Sequence, residues 1–79
     1  MKYTQAIALR LRELLFQKQI TQSELADKCK LSRTTVNLLA TGKTANVSFS
    51  SLVKICNILD ISLYDFFNSL IFCDYITYK

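Results

Sequence analysis

The stretch TQSELADKCKLSRTTVNLLATGK, residues 21–43, decides the fold because it places two short helical patterns almost side by side. Apolar residues recur at helical spacing in each half of it: Leu25, Ala26 and Cys29, then Val36, Leu39 and Ala40. Thr21 and Glu24 have the spacing of a capping box at the first of these two helices, and Ser32 is placed to cap the other. Two helices joined by about three residues cross at a steep angle with their apolar faces in contact.

The rest of the chain predicts a compact all-α domain of five helices. Helical spacing places the first helix at roughly 4–18 and two further helices behind the capping serines Ser48 and Ser62. The apolar positions of these last two helices are Leu52, Ile55, Cys56 and Leu59, then Leu63, Phe66 and Phe67. Because the 79 residues include one glycine and no proline, we expect a single domain over 1–69 without an internal linker.

The ten residues LIFCDYITYK at 70–79 form a C-terminal tail of different composition. They are apolar and aromatic but lack clear helical spacing, so they could extend the fifth helix, form a short strand or cover the core. Exposed apolar patches often mark partner surfaces, which makes the tail a candidate for dimerisation. The two interpretations, a core-covering segment and a dimerisation segment, stay open at this point.

Charge is distributed unevenly along the chain. Residues 1–43 hold eight lysines and arginines against three acids, a net charge of +5, whereas residues 44–79 hold two lysines against three aspartates, a net charge of −1. The sum is the +4 of the whole chain. A basic half fits a polyanionic partner such as nucleic acid, although small domains often carry such a charge without one.

Several classes of protein are excluded by the composition. The chain has no histidine, and its three cysteines (Cys29, Cys56 and Cys73) lie far apart, so we expect reduced thiols and neither a metal site nor a cofactor. It has no long uncharged apolar run and no signal-peptide pattern, so we expect a cytoplasmic protein without a membrane span. It lacks paired carboxylates and a glycine-rich phosphate loop, so we do not expect an enzyme.

A family resemblance follows from four segments: TQSELA, LSRTTV, Gly42-Lys43 and ANVSFSSLVKICNILDISLYDFF. Together with Ile7, Arg10, Leu11, Arg12 and Leu14, they resemble the lambda-repressor/Cro-like (XRE) helix-turn-helix family of bacterial and phage transcription regulators. The match covers roughly residues 5–68. It implies a five-helix lambda-repressor-like DNA-binding domain whose third helix, residues 32–41, lies in the major groove of double-stranded DNA.

The resemblance also implies which residues touch DNA. Its base-reading positions correspond to Arg33, Thr34, Asn37 and Leu38. Arginine can donate two hydrogen bonds to guanine, asparagine can pair with adenine, and threonine offers a hydroxyl and a methyl group. Leu38 can make only apolar contact, most simply with a thymine methyl, so we expect weak specificity at its position.

Contacts to the phosphate backbone are implied at six further positions. They lie at the start of the second helix, at both ends of the third, and in the loop that follows: Gln22, Ser32, Thr41, Lys43, Thr44 and Asn46. Phosphate contacts set the register of the protein on DNA, and base contacts set the sequence that is read. Arg10 and Arg12 on the first helix are expected to be solvated or ion-paired instead.

Two kinds of departure from the family pattern have structural consequences. Lys30 and Asp60 stand where the family favours glycine, so we expect a left-handed backbone at both positions. It costs about 1 kcal/mol at Lys30, whereas aspartate tolerates this conformation better than most residues. Leu15 and Ala40 stand where many relatives place an arginine–glutamate ion pair, so we expect a packed apolar contact in its place. Gly42, the single glycine, is expected to take the left-handed conformation that ends the third helix.

Two functions follow from this interpretation. The first is a sequence-specific DNA-binding transcription regulator, a repressor that acts as a homodimer on a two-fold operator. The alternative is a protein-binding module, such as an antitoxin whose apolar tail at 70–79 binds a toxin. Salt-dependent binding to DNA separates the two.

Overall fold

The computed structural model describes residues 3–72, and for Leu70 its backbone alone. It contains five α-helices and a closing 3₁₀ turn: α1 Tyr3–Lys18, α2 Gln22–Cys29, α3 Arg33–Thr41, α4 Phe49–Leu59, α5 Leu63–Phe67 and the turn Leu70–Phe72. No strand occurs among these residues, so the predicted all-α five-helix fold is confirmed. In this part of the chain no helix is long and apolar enough to cross a membrane. The predicted tail beyond Phe72 lies outside the described residues.

Each helix from α2 to α5 begins at a hydroxyl residue that accepts a hydrogen bond from the backbone amide three residues later. The four caps are Thr21, Ser32, Ser48 and Ser62. At α2 the capping box is complete, since the Glu24 carboxylate also accepts from the Thr21 amide at 3.0 Å. These bonds satisfy amides that the first turn of a helix leaves without partners, and they confirm the predicted start signals.

The ends of α1 to α4 share one motif. At each end a residue takes a positive φ (55° at Gln19, 58° at Lys30, 75° at Gly42 and 59° at Asp60). The amide of the next residue then donates to the carbonyl five residues back, over 3.0–3.2 Å, which is the Schellman pattern. The left-handed conformations expected at Lys30, Gly42 and Asp60 are confirmed, and Gln19 was not foreseen.

The core combines apolar side chains from all five helices and the closing turn. Phe66 is fully buried, and its ring centroid lies 5.1 Å from that of Phe67 and 6.3 Å from that of Phe72. Leu15 and Ala40 are both buried in this core, as expected for an apolar replacement of an ion pair. Phe72 is 3% exposed, so its side chain belongs to the core.

Two thiols lie in the same core. Cys29 and Cys56 are free and buried, and burial raises the pKa of each thiol above its ordinary value. The neutral form is therefore favoured, and the two side chains pack as small hydrophobes.

Arg10 ties the first helix to the last. Its Nε donates to the Phe66 carbonyl and its Nη2 to the Asp65 carbonyl, both at 2.7 Å, while Nη1 forms an ion pair with Glu13 at 2.7 Å. The last carbonyls of a helix lack intrahelical partners and carry partial negative charge. The guanidinium therefore holds the end of α5 against the middle of α1.

Candidate nucleic-acid interface

The α3 helix has one buried face and one exposed face. Val36, Leu39 and Ala40 are buried against α1 and α2. The four residues predicted to read bases stand on the opposite side and are all exposed: Arg33, Thr34, Asn37 and Leu38. The structure therefore brings these four side chains together on one outward surface, which we call the reading face.

A side-chain contact connects the reading face to the start of α2. The Nδ2 atom of Asn37 donates to Oε1 of Gln22 over 3.4 Å. This bond uses the acceptor of the Gln22 amide and turns its two N–H donors toward other acceptors, such as phosphate oxygens. Asn37 keeps one N–H and its carbonyl oxygen, which are the two groups that pair with adenine.

The hydroxyls at the two ends of α3 are already engaged within the protein. Ser32 Oγ accepts a hydrogen bond from the Thr35 amide at 3.0 Å. It also forms a hydrogen bond of 2.8 Å with the Thr35 hydroxyl, in which either oxygen can be the donor. Thr41 Oγ1 donates to the Asn37 carbonyl at 2.8 Å. Because a threonine hydroxyl has one proton to donate, Thr41 must release this bond before it can donate to a phosphate.

The loop after α3 is held by a link to α1. Thr44 Oγ1 donates to the Asn46 carbonyl at 2.7 Å, and the Tyr3 hydroxyl donates to Asn46 Oδ1 at 3.2 Å. The side-chain donors that the loop still offers are the amide N–H groups of Asn46 and the ammonium of Lys43. Lys43 is exposed and forms no ion pair with any described residue.

Gly42 has a second structural role besides its positive φ. A Cβ atom at this position would lie 3.3 Å from Cα and 3.4 Å from Cγ of Gln5, and 3.5 Å from Cβ of Ala8. The end of α3 therefore lies close against the backbone of α1, and both the conformation and the space favour glycine. The sequence shows only the conformational part of this requirement.

The electrostatics at the start of α3 favour an anion. Between described residues, the single ion pair within 4.0 Å is that of Arg10 and Glu13 on α1. The Glu24 carboxylate caps α2, and its hydrogen bonds with Thr21 hold its pKa below the ordinary value. On α2, Lys28 interacts electrostatically with Glu24. Arg33 forms no ion pair with a described residue and stands at the positive end of the α3 dipole, where anions bind.

Sequence reasoning missed two contributors to the shape of this surface. Tyr3 and Gln5 lie on α1, far along the chain from the loop and the glycine that they contact. Such pairings depend on how α1 crosses α3, and no local pattern in the sequence encodes them.

The chain matches the sequence model of the Cro/C1-type HTH DNA-binding domain over residues 10–69. The matched range includes the whole reading face, Gln22 and the loop after α3. No curated protein matches the chain. Since the matched range is 60 of the 79 residues, the chain belongs to the family of Cro/C1-type HTH DNA-binding domains.

Proposed function

We propose that the protein is a sequence-specific transcription regulator that represses by occupying a two-fold operator as a homodimer, with α3 in the major groove. The observation that carries the proposal is the reading face, where Asn37 is joined to Gln22 at the start of α2. This arrangement couples a base-reading position to a phosphate-binding position. It suits a helix pair that lies in and across one groove of B-DNA.

Each residue of the reading face has a separate role in the proposal. Arg33 donates two hydrogen bonds to guanine O6 and N7, and Asn37 pairs with adenine. Thr34 contacts a base or a nearby phosphate. Leu38, 37% exposed, packs on a thymine methyl and so restricts one position of the half-site only weakly.

Phosphate contacts fall into two groups. Gln22, Lys43 and Asn46 have donors that no contact within the described residues uses, so they bind the backbone without rearrangement. Ser32, Thr41 and Thr44 first have to release or share the hydroxyl bonds that stabilise α3 and the loop. We therefore rank the first group above the second as phosphate ligands.

Dimerisation supplies the affinity that one small domain lacks. A single reading face offers few base contacts, and two copies on half-sites about one helical turn apart double them. The 70–79 segment remains our candidate for the dimer contact. The contact is expected in the part of this segment after Phe72, because the Phe72 ring already belongs to the core. Exposed aromatic residues on the described surface, among them Tyr64 at 75%, extend the apolar area available to a second copy.

Selection of bound sites from a random DNA library tests the proposal. We expect an enriched palindrome, sedimentation of the complex with two protein copies, and affinity that falls steeply as salt rises. Binding without sequence enrichment would contradict the regulator proposal, and an enriched single half-site bound by one copy would contradict the dimer. Absence of binding even at low salt would remove DNA as the partner.

One observation favours a second candidate, a protein-binding module such as an antitoxin. Phe16 is 85% exposed beside a groove of about 650 Å³ whose apolar lining includes Leu15 and Ile20. Co-expression with the product of a neighbouring gene tests it: the complex should form with the wild-type protein and weaken with Phe16→Ser. A complex unaffected by this substitution would exclude the groove as the binding surface.

A further inference from the structure

Three lysines converge on a groove where α2 ends and α4 passes behind it. The groove has a volume of about 270 Å³ and is lined by Lys28, Cys29, Lys30, Lys54, Asn57 and Ile58. Lys28 lies in the last turn of α2, Lys30 is the left-handed residue after it, and Lys54 lies in the middle of α4. We call this surface the lysine groove.

The lysine groove is positively charged. Its lining contains no acidic residue, and none of its three lysines forms an ion pair with a described residue. Lys28 interacts electrostatically with the Glu24 carboxylate, which is hydrogen-bonded to Thr21 and lies outside the groove lining. Three like charges around one concavity repel each other, and a polyanion relieves that repulsion.

Helix stabilisation accounts for only part of this arrangement. Lysines near a helix C-terminus interact favourably with the helix dipole, and Lys28 and Lys30 both have such positions. Lys54 lies mid-helix and has no such role. Burial raises the pKa of the Cys29 thiol, and the charge of Lys54, which lines the same groove, opposes this rise.

The lysine groove is adjacent to the base-reading end of α3. Lys30 precedes Arg33 by three residues, so their Cα atoms lie at most about 11 Å apart. In the proposed complex the N-terminal residues of α3 contact base edges in the major groove, so Lys30 lies close to the duplex. We propose that the lysine groove binds the phosphate backbone of the DNA that flanks the half-site, an inference that rests on the proposed function.

Lysines make sequence-independent contacts here. An ammonium is a point charge without the planar fork that reads guanine, so the lysine groove adds affinity and no specificity. Each phosphate contact releases counterions and contributes about 0.9 to the slope of log affinity against log salt. The inference therefore predicts a change in salt dependence rather than in the sequence that is bound.

The test is a salt series by fluorescence anisotropy on a mixed-sequence duplex of about thirty base pairs, roughly three helical turns. It compares the wild type, Lys54→Gln, and the triple variant Lys28→Gln/Lys30→Gln/Lys54→Gln. Lys18→Gln is the matched control for Lys54→Gln, because it removes the same charge from the last turn of α1. Circular dichroism and thermal unfolding verify that each variant folds.

We expect the slope to fall by about 0.9 for Lys54→Gln and by about two to three for the triple variant, with little change for Lys18→Gln. On operators taken from the library selection, the variants should keep the wild-type sequence preference. Folded variants whose slope equals that of the wild type would overturn the inference and leave the proposed function intact. A wild-type protein that binds no DNA would overturn both.

Discussion

At the scale of single residues, Gly42 differs from the other left-handed positions because it combines a positive φ with a close contact to α1. Gln19, Lys30 and Asp60 also have positive φ, yet each is a non-glycine residue. At Gly42 a side chain would in addition meet the backbone of α1 at Gln5. The single glycine of the chain therefore stands where the end of α3 lies close against α1.

This difference predicts opposite responses to substitution. Gly42→Ala should lower the free energy of unfolding by about 1–2 kcal/mol, because alanine is strained in the left-handed conformation. The loss is larger if Gln5 cannot move away from the added Cβ atom. Lys30→Gly, the matched control, removes the same strain and should raise stability by up to about 1 kcal/mol. Urea unfolding followed by circular dichroism measures both. Equal effects of the two substitutions would contradict the close approach of α3 to α1.

Glu24 makes the stability of the domain depend on pH. Hydrogen bonds with Thr21 lower its pKa in the folded state, so its stabilisation is present above its ordinary pKa of 4.5 and is lost as pH falls through the lowered value. Glu24→Gln keeps a side-chain acceptor for the Thr21 amide but does not titrate. Thermal unfolding at about pH 7 and about pH 3 should show a smaller loss on acidification in the variant than in the wild type. An identical loss in both proteins would mean that this carboxylate does not contribute.

At the scale of elements, α2 and α3 act as one unit because Gln22 and Asn37 share a hydrogen bond. If the bond positions both side chains on DNA, the two substitutions are not independent. The double variant Gln22→Ala/Asn37→Ala should lose less affinity for the operator than the sum of the single losses, by about 0.5–1 kcal/mol. Gln22→Ala with Thr34→Ala is the control pair, and its losses should add. Additive losses in both pairs would show that the contact has no role in binding.

Element boundaries were largely predictable because their signals are local. Capping hydroxyls and apolar spacing lie within one or two turns of the residues that they order, so α2, α3 and α4 follow from short stretches of sequence. The contacts that shape the candidate site are not local. The Tyr3–Asn46 bond and the packing of Gln5 on Gly42 join α1 to residues that follow α3, and only the crossing of α1 over α3 brings them together.

At the scale of the whole molecule, Arg10 connects the two ends of the fold. Its bonds to the Phe66 and Asp65 carbonyls close the end of α5, next to the aromatic cluster that Phe72 completes. Arg10→Leu should lower the free energy of unfolding by about 2–3 kcal/mol, because the part-buried Phe66 carbonyl and the exposed Asp65 carbonyl both lose a charged donor. Glu13→Gln removes only the ion pair, whose carboxylate side is exposed, and should cost less than about 1 kcal/mol. Comparable losses in the two variants would assign the effect to the ion pair instead.

The central claim is that the exposed face of α3 reads DNA, and Arg33 tests it most directly. The measurement is the affinity of the wild type and of Arg33→Ala for the selected operator and for a set in which each base pair is changed in turn. We predict a loss of about 1–3 kcal/mol on the selected operator, together with the loss of discrimination at one base pair of each half-site. A uniform loss on every operator, or no loss on any, would contradict the claim.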